Sequence, residues 1–222
     1  MKISNDVIIN VGLRSKLQLW SYWHHWDNTK LFRIAYISFM KNIAKGTLLI
    51  AEPFLKDIHF QRTVVLLCEH QQAGTFGILI NKILNEDISY LIEELEGLGI
   101  PLYDGGPVNR NQIHFLHQYP NLIPGGQHVT DGIYWGGDFD IAANFIKKGM
   151  IKKEGIRFYL GYSGWGENQL EDEMKEKSWL TLSAYKDLVF HKNAPQIWKK
   201  AVSDLGEEFL PMVNYPLDPS FN

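Results

Sequence analysis

Short apolar runs of strand length dominate the middle of this chain, and long one-sided helical patterns are few. Thr47-Leu48-Leu49-Ile50-Ala51 reads as the first strand, ended by Pro53 because proline cannot donate to a sheet ladder. Arg62-Thr63-Val64-Val65-Leu66-Leu67-Cys68-Glu69-His70 is an unbroken β-branched and leucine run, the pattern of a strand buried on both faces. Gln71 to Gly74 supplies a turn, and Phe76-Gly77-Ile78-Leu79-Ile80-Asn81 returns as a hairpin partner. Asn85 is placed to cap a helix whose apolar face is Ile88, Leu91, Ile92 and Leu95, stopped by Gly97 and Gly99. Leu102-Tyr103-Asp104, Ile113 to Leu116 and Gly132 to Trp135 are further strand candidates. Asp138 or Asp140 caps a helix bearing Ile141, Phe145 and Ile146, and Lys147 and Lys148 in its last turn complement the helix dipole.

The stretch around which the rest is organised comes next. A strand, Ile156 to Leu160, runs into Gly161-Tyr162-Ser163-Gly164-Trp165-Gly166, read as a strand-to-helix junction, and a helix-favouring segment leaves it through Met174 and Lys177. Glycine loses the most backbone freedom on folding, so three in six residues imply tight turning or close approach. Trp179 to Leu182 is a strand, Pro195 opens a helix that runs to Leu205, and residues 211–222, with three prolines, read as irregular. The uneven alternation of strands and helices predicts a single mixed α+β domain over residues 40–222. Residues 1–39 carry Trp20, Trp23, Trp26, His24 and His25 without a sustained period. They read as an N-terminal extension, either disordered or a start-site artefact ahead of Met40; the alternative is an aromatic arm docked on the body.

Composition narrows the function classes. With 222 residues, 45% hydrophobic and 21% charged, the chain is long enough for a sizeable core. One cysteine leaves no internal disulfide framework and fits a reducing compartment. The apolar runs fall far short of the roughly 20 residues of a membrane helix, and no signal-peptide pattern opens the chain. A cytoplasmic protein without a membrane partner is expected. The first 39 residues hold five basic and two acidic groups, so residues 40–222 keep 17 basic against 23 acidic groups and a net charge of −6. An acidic body repels phosphate backbones and makes direct DNA binding doubtful.

The candidate chemistry is sparse. Glu69 and His70 end a buried strand, and a histidine beside a carboxylate is a possible acid, base or ligand; adjacent strand residues point to opposite faces, however. His114 and His117, three apart, are separated in the same way. No Cys-x-x-Cys pair or His-Glu-x-x-His helix is present, so no metal or other cofactor is expected. Cys68 lies in the buried run and reads as a core thiol. Ser163 lacks the Gly-x-Ser-x-Gly spacing of a nucleophile elbow, because a glycine follows it directly. Gly105-Gly106-Pro107-Val108 could offer backbone N–H groups to an anion, but a tight turn is the simpler account. Glu167, Glu171, Asp172, Lys175 and Glu176 read as a solvated helix face with Glu171–Lys175 pairing, and Gln169 and Glu173 share another face.

Taken in order, Lys45-Gly46-Thr47-Leu48-Leu49-Ile50-Ala51, Phe60 to His70, Gly77 to Asn81, Gly105 to Val108, and Gly161 to Gly166 with Gln169-Leu170-Glu171 closely resemble the YqgE/AlgH family of bacterial proteins. The resemblance spans residues 45–205. It implies a compact α+β domain with a bifurcated or barrel-like β-sheet core surrounded by helices. Members are labelled transcriptional regulators, after a proposed role in alginate production, and no catalytic residues come with that label. This chain departs from the pattern at Asn168, where glycine commonly precedes Gln-Leu-Glu, and at Lys82-Ile83, where Arg-Pro commonly follows the asparagine.

The expected function is a non-enzymatic regulator that acts through a protein or small-ligand partner. Its candidate surface is Glu69, His70, Asn81, Gly105, Gly106, Pro107, Gly161, Tyr162, Gly164, Trp165, Gly166, Gln169 and Glu171. An exposed Trp165 would be an interface anchor. Gathering of Lys147, Lys148, Lys152 and Lys153 on one face would favour a direct DNA-binding regulator, although no helix-turn-helix or zinc-finger motif is visible. Convergence of His70 with Glu171 in one pocket would favour an enzyme using Glu69, His70 or Glu171.

Overall fold

One long strand shared by two branches of sheet organises residues 43–216, the part of the chain that the computed structural model describes. The expectations for residues 1–39 lie outside the described residues. In chain order the strands are β1 (Thr47–Ala51), β2 (Val64–Gln71), β3 (Gly74–Leu79), β4 (Lys82–Asp87), β5 (Pro101–Asp104), β6 (Val108–His117), β7 (Gln127–Thr130), β8 (Ile133–Trp135), β9 (Ile156–Gly166) and β10 (Trp179–Ser183). The helices are α1 (Phe139–Lys147), α2 (Gln169–Lys175), α3 (Lys186–Val189) and α4 (Ile197–Asp204).

The sheet runs β10-β1-β2-β3-β9-β6-β8-β7, with β5 branching from β9 and β4 pairing β5. β5 with β9 is a parallel pair in an otherwise antiparallel sheet. β9 forks because its two halves take different partners. Leu102 to Asp104 of β5 sit opposite Phe158 to Leu160, whereas Gly74 to Gly77 of β3 sit opposite Gly166 to Ser163. Gly105 occupies the crotch: its N–H donates to Leu160 O at 2.9 Å and its carbonyl accepts from Leu79 N–H at 2.9 Å. A Cβ there would stand 2.2 Å from Gly161 O, and one on Gly106 2.3 Å from Tyr162 O. Only glycine lets the two backbones approach so closely.

Two apolar cores flank β9. The first joins Leu48, Leu66, Ile78 and Tyr159 to the α3–α4 segment through Leu188, Ile197 and Trp198. The second joins Leu102, Phe115 and Phe158 to Ala142, Ala143 and Ile146 of α1 and to Ile88 and Leu95. Fully burying such a side chain contributes about 1.5–3 kcal/mol. Arg157, 5% exposed, reaches from β9 to the end of α3. There it donates to Val189 O at 2.9 Å and to His191 O, and its guanidinium lies 4.9 Å from the Tyr103 ring centre.

The hairpin, the buried strands and the Asp138 cap follow the sequence pattern; Asp138 Oδ1 accepts from Ile141 N–H at 2.9 Å. Two expectations are corrected. The helix capped by Asn85 does not form: residues 82–87 pair with β5 (Lys82↔Asp104, Ile83↔Tyr103). Asp87 caps a single 3₁₀ turn at 88–90, and another turn spans 93–95. The apolar spacing is still used, since Ile88 and Leu95 both enter the second core. The Gly161–Gly166 motif is likewise not a junction loop but the second half of β9, satisfied by pairing with β3. Asn168 stands at φ 60°, the left-handed region that asparagine tolerates better than most residues, which explains how it stands where glycine is common.

Candidate functional site

A bulge in β2 sets the site. Register runs Leu66↔Ile78 and Leu67↔Gly77, then resumes at Glu69↔Phe76 and His70↔Thr75, leaving Cys68 as the extra residue. Simple alternation would put His70 on the face of Leu66 and Cys68. The bulge instead swings Glu69 onto that face beside Phe76 and sends His70 to the other. Cys68 stays in the core, where burial drives its thiol pKa far up.

At this end of the sheet lies a cleft of about 510 Å³ whose walls include Glu69, Gln71, Thr75, Phe76, Tyr162 and Trp165. Gly164, the cross-strand partner of Phe76, carries no side chain to cover the ring. Phe76 and Tyr162 are half-buried with ring centres 4.9 Å apart. The aromatic surface continues through His114, 5.3 Å from Phe76, and Trp135, 4.6 Å from Phe76, so it crosses β3, β9, β6 and β8. His114 Nε2 is buried without a hydrogen-bond partner, and burial lowers the imidazole pKa. Among the described residues, no hydrogen bond or ion pair within 4 Å engages the Glu69 side chain and no lysine or arginine lines the cleft.

On the opposite face, His70 Nδ1 is 2.7 Å from Thr75 Oγ1 and its Nε2 is 3.8 Å from Glu171 Oε1. His70 and Glu171 therefore converge, but neither lines the cleft. Trp165 is 5% exposed, so it does not offer the solvent-facing ring that an interface anchor needs. Its indole N–H donates to Glu173 Oε2 at 2.9 Å, and that of Trp179 donates to the same oxygen at 2.7 Å. Gln169 closes the arrangement: its Nε2 donates to Glu173 Oε1 at 3.0 Å, and its Oε1 accepts from Gly166 N–H at 3.1 Å.

Asn81 and the fork glycines face inward. Asn81, 6% exposed, accepts from Val64 N–H at 2.8 Å and donates to Arg62 O at 3.0 Å. Gly105, Gly106 and Gly161 make the fork, and Pro107 is exposed beside it. The Gly105–Gly106 pair is no anion nest, because Gly105 N–H is bound to Leu160 O and Gly106 N–H to Asp104 Oδ1 at 3.1 Å. Ser163 is fully buried and donates to Gly105 O at 3.3 Å. Lys147, Lys148, Lys152 and Lys153 are all exposed, between the end of α1 and β9. Sequence reasoning missed Gln71, Thr75, Phe76 and Trp135; the first three share the β2–β3 hairpin, and pairing through β9, β6 and β8 brings Trp135 beside them.

A family profile described as AlgH-like matches residues 48–210. A UPF0301 protein from Cytophaga hutchinsonii is 39% identical over 181 residues, covering 81% of this chain and 100% of the relative. One from Bacteroides thetaiotaomicron is 38% identical over 180 residues, covering 81% and 91%. The solution structure of the AlgH protein from Pseudomonas aeruginosa is similar at a TM-score of 0.62 and 26% identity, over 78% of this chain and 94% of that one. A crystal structure of a Corynebacterium diphtheriae protein shares the fold at a TM-score of 0.66 and 19% identity, over 78% and 92%. The profile match, the relatives and the forked half-barrel agree: the chain belongs to the AlgH-like family.

Proposed function

We propose that this protein is a non-enzymatic regulator that responds to a small ligand taken into the cleft between the β2–β3 hairpin and the second half of β9. The observation that carries it is the combination of a carboxylate, Glu69, without an ion-pair partner within 4 Å among the described residues, with two half-buried rings, Phe76 and Tyr162, in one cleft of about 510 Å³. That volume lies in the range of small-molecule sites, and apolar walls with few polar groups are their usual make-up. A route for the response is supported by Trp165, which lines the cleft and ties to α2 through Glu173.

The test is a thermal-shift and NMR screen of the full chain against a broad metabolite library. Binding that perturbs Glu69, Phe76 and Tyr162, and is weakened by Phe76→Ala, is expected. A screen whose hits all map elsewhere would refute the proposal.

An enzymatic role draws support from one specific contact set, Thr75–His70–Glu171. A hydroxyl, an imidazole and a carboxylate in series resemble a nucleophile, its base and an orienting group. Acylation of Thr75 by an activated ester, lost in His70→Gln, would establish that role; an unmodified Thr75 would remove it.

A further inference from the structure

We infer that the cleft takes a ligand bearing a planar cation, a guanidinium or amidinium group, whose N–H fork meets the Glu69 carboxylate while its plane lies against Phe76 and Tyr162. This rests on the ligand-binding role proposed above and specifies its chemistry.

Three features converge on that group. First, Glu69 is a half-buried carboxylate without an ion-pair partner within 4 Å among the described residues, in a cleft lined by neither lysine nor arginine. An ionised carboxylate only accepts hydrogen bonds, so its complement is a donor, best a charged one. Second, the neighbouring surface is aromatic. Phe76 and Tyr162 lie 4.9 Å apart with planes inclined by 36°, and each is only half-buried. Aromatic faces attract cations, and a guanidinium, flat and weakly hydrated, stacks on a ring while presenting two parallel N–H groups to a carboxylate. A compact ammonium is more strongly hydrated and lacks the fork. Third, the net charge of −6 over residues 40–222 raises the local concentration of cations. Anionic ligands meet the reverse: a carboxylate in the wall and, at the Gly105–Gly106 turn, N–H groups already bonded within the fold.

The experiment titrates benzamidine, and benzamide as its neutral planar counterpart, into the isotope-labelled full chain. Benzamidine is expected to shift resonances of residues 74–76 and 162–165, with benzamide about tenfold or more weaker because it lacks the charge-assisted pair. Glu69→Gln, which removes no ion pair within 4 Å among the described residues, should abolish that preference. Gly164→Val, verified as folded by its dispersed spectrum, should weaken both probes, since a Cβ there stands 3.0 Å from Tyr162 Cε2 and forces that ring out of its place in the cleft wall. Agmatine and a Gly-Arg-Gly peptide then separate a free small molecule from an arginine side chain, and binding of either supports the inference. Benzamide binding in the cleft as tightly as benzamidine overturns the cation while leaving the ligand-binding role standing. Benzamidine binding elsewhere, not at all, or undiminished in Gly164→Val overturns the inference outright.

Discussion

Glu173 offers a quantitative test of whether the Trp165 motif is structural. Its Oε2 accepts from two indole N–H groups, at 2.9 Å from Trp165 and 2.7 Å from Trp179, whose side chains are 5% and 3% exposed. Glu173→Ala leaves both donors buried without a partner. Each such loss costs about 1–3 kcal/mol, and the lost bonds are charge-assisted. Against this stands relief from holding a half-buried carboxylate, so the net expectation is a destabilisation of about 3 kcal/mol. Glu173→Gln keeps an amide oxygen for the indoles and should cost about half as much. Urea unfolding followed by tryptophan fluorescence measures both, with an unchanged m-value as the sign that compactness is retained. A double-mutant cycle with Trp165→Phe should return a coupling of about 1 kcal/mol between the two residues. A cost below about 1 kcal/mol for Glu173→Ala, or a coupling near zero, would refute the reasoning and free Trp165 for a role at the surface.

Gly105→Ala should destabilise by more than about 3 kcal/mol or abolish soluble expression, because its Cβ would fall 2.2 Å from a backbone oxygen rather than a yielding side chain; a near-neutral melting temperature would contradict the fork. Stability should fall as pH drops. His117 is buried, its Nε2 is 3.0 Å from Gly136 O, and its Nδ1 accepts from Tyr119 N–H at 3.1 Å. Burial lowers the pKa of both His117 and His114 in the folded state. The unfolded chain therefore binds protons first, so stability is complete above the unfolded value of about 6.5 and declines below it. Urea midpoints at pH 7.5 and 5.5 measure this, and His114→Phe should flatten the slope. Genomic DNA fragments should not bind the chain saturably even at low salt, where attraction to Lys147, Lys148, Lys152 and Lys153 is strongest. Binding that falls steeply with salt, and is lost when these lysines become glutamines, would instead support a direct DNA regulator.

Much of the fold is legible in the sequence because it is local. The hairpin, the Asp138 cap and the Pro195 helix start each depend on residues a few positions apart. Residues 82–95 illustrate the limit: their apolar spacing suits a helix, but β5 offers an unpaired edge and the ladder wins over local preference. The site was legible in part. Of the candidate positions, Glu69, Tyr162, Gly164 and Trp165 line the cleft. Their partner Phe76 comes from the far side of the hairpin, and the bulge that aims Glu69 at it occupies a position, Cys68, that looks like any other core residue. Asn81 lies away from the cleft, and Trp165 borders it with a buried ring. Their side chains face inward because the backbone and α2 supply hydrogen-bond partners that no local pattern announces.

The forked strand also constrains how the chain is made. β2 and β3 can zip together as soon as they leave the ribosome, but the outer edge of β3 pairs with Ser163 to Gly166, and β1 with Trp179 to Ser183. Until those late segments emerge, the nascent chain carries open, apolar strand edges of the kind that recruit other chains. β9 then closes both branches together, so a chain truncated before residue 156 would have neither core sealed.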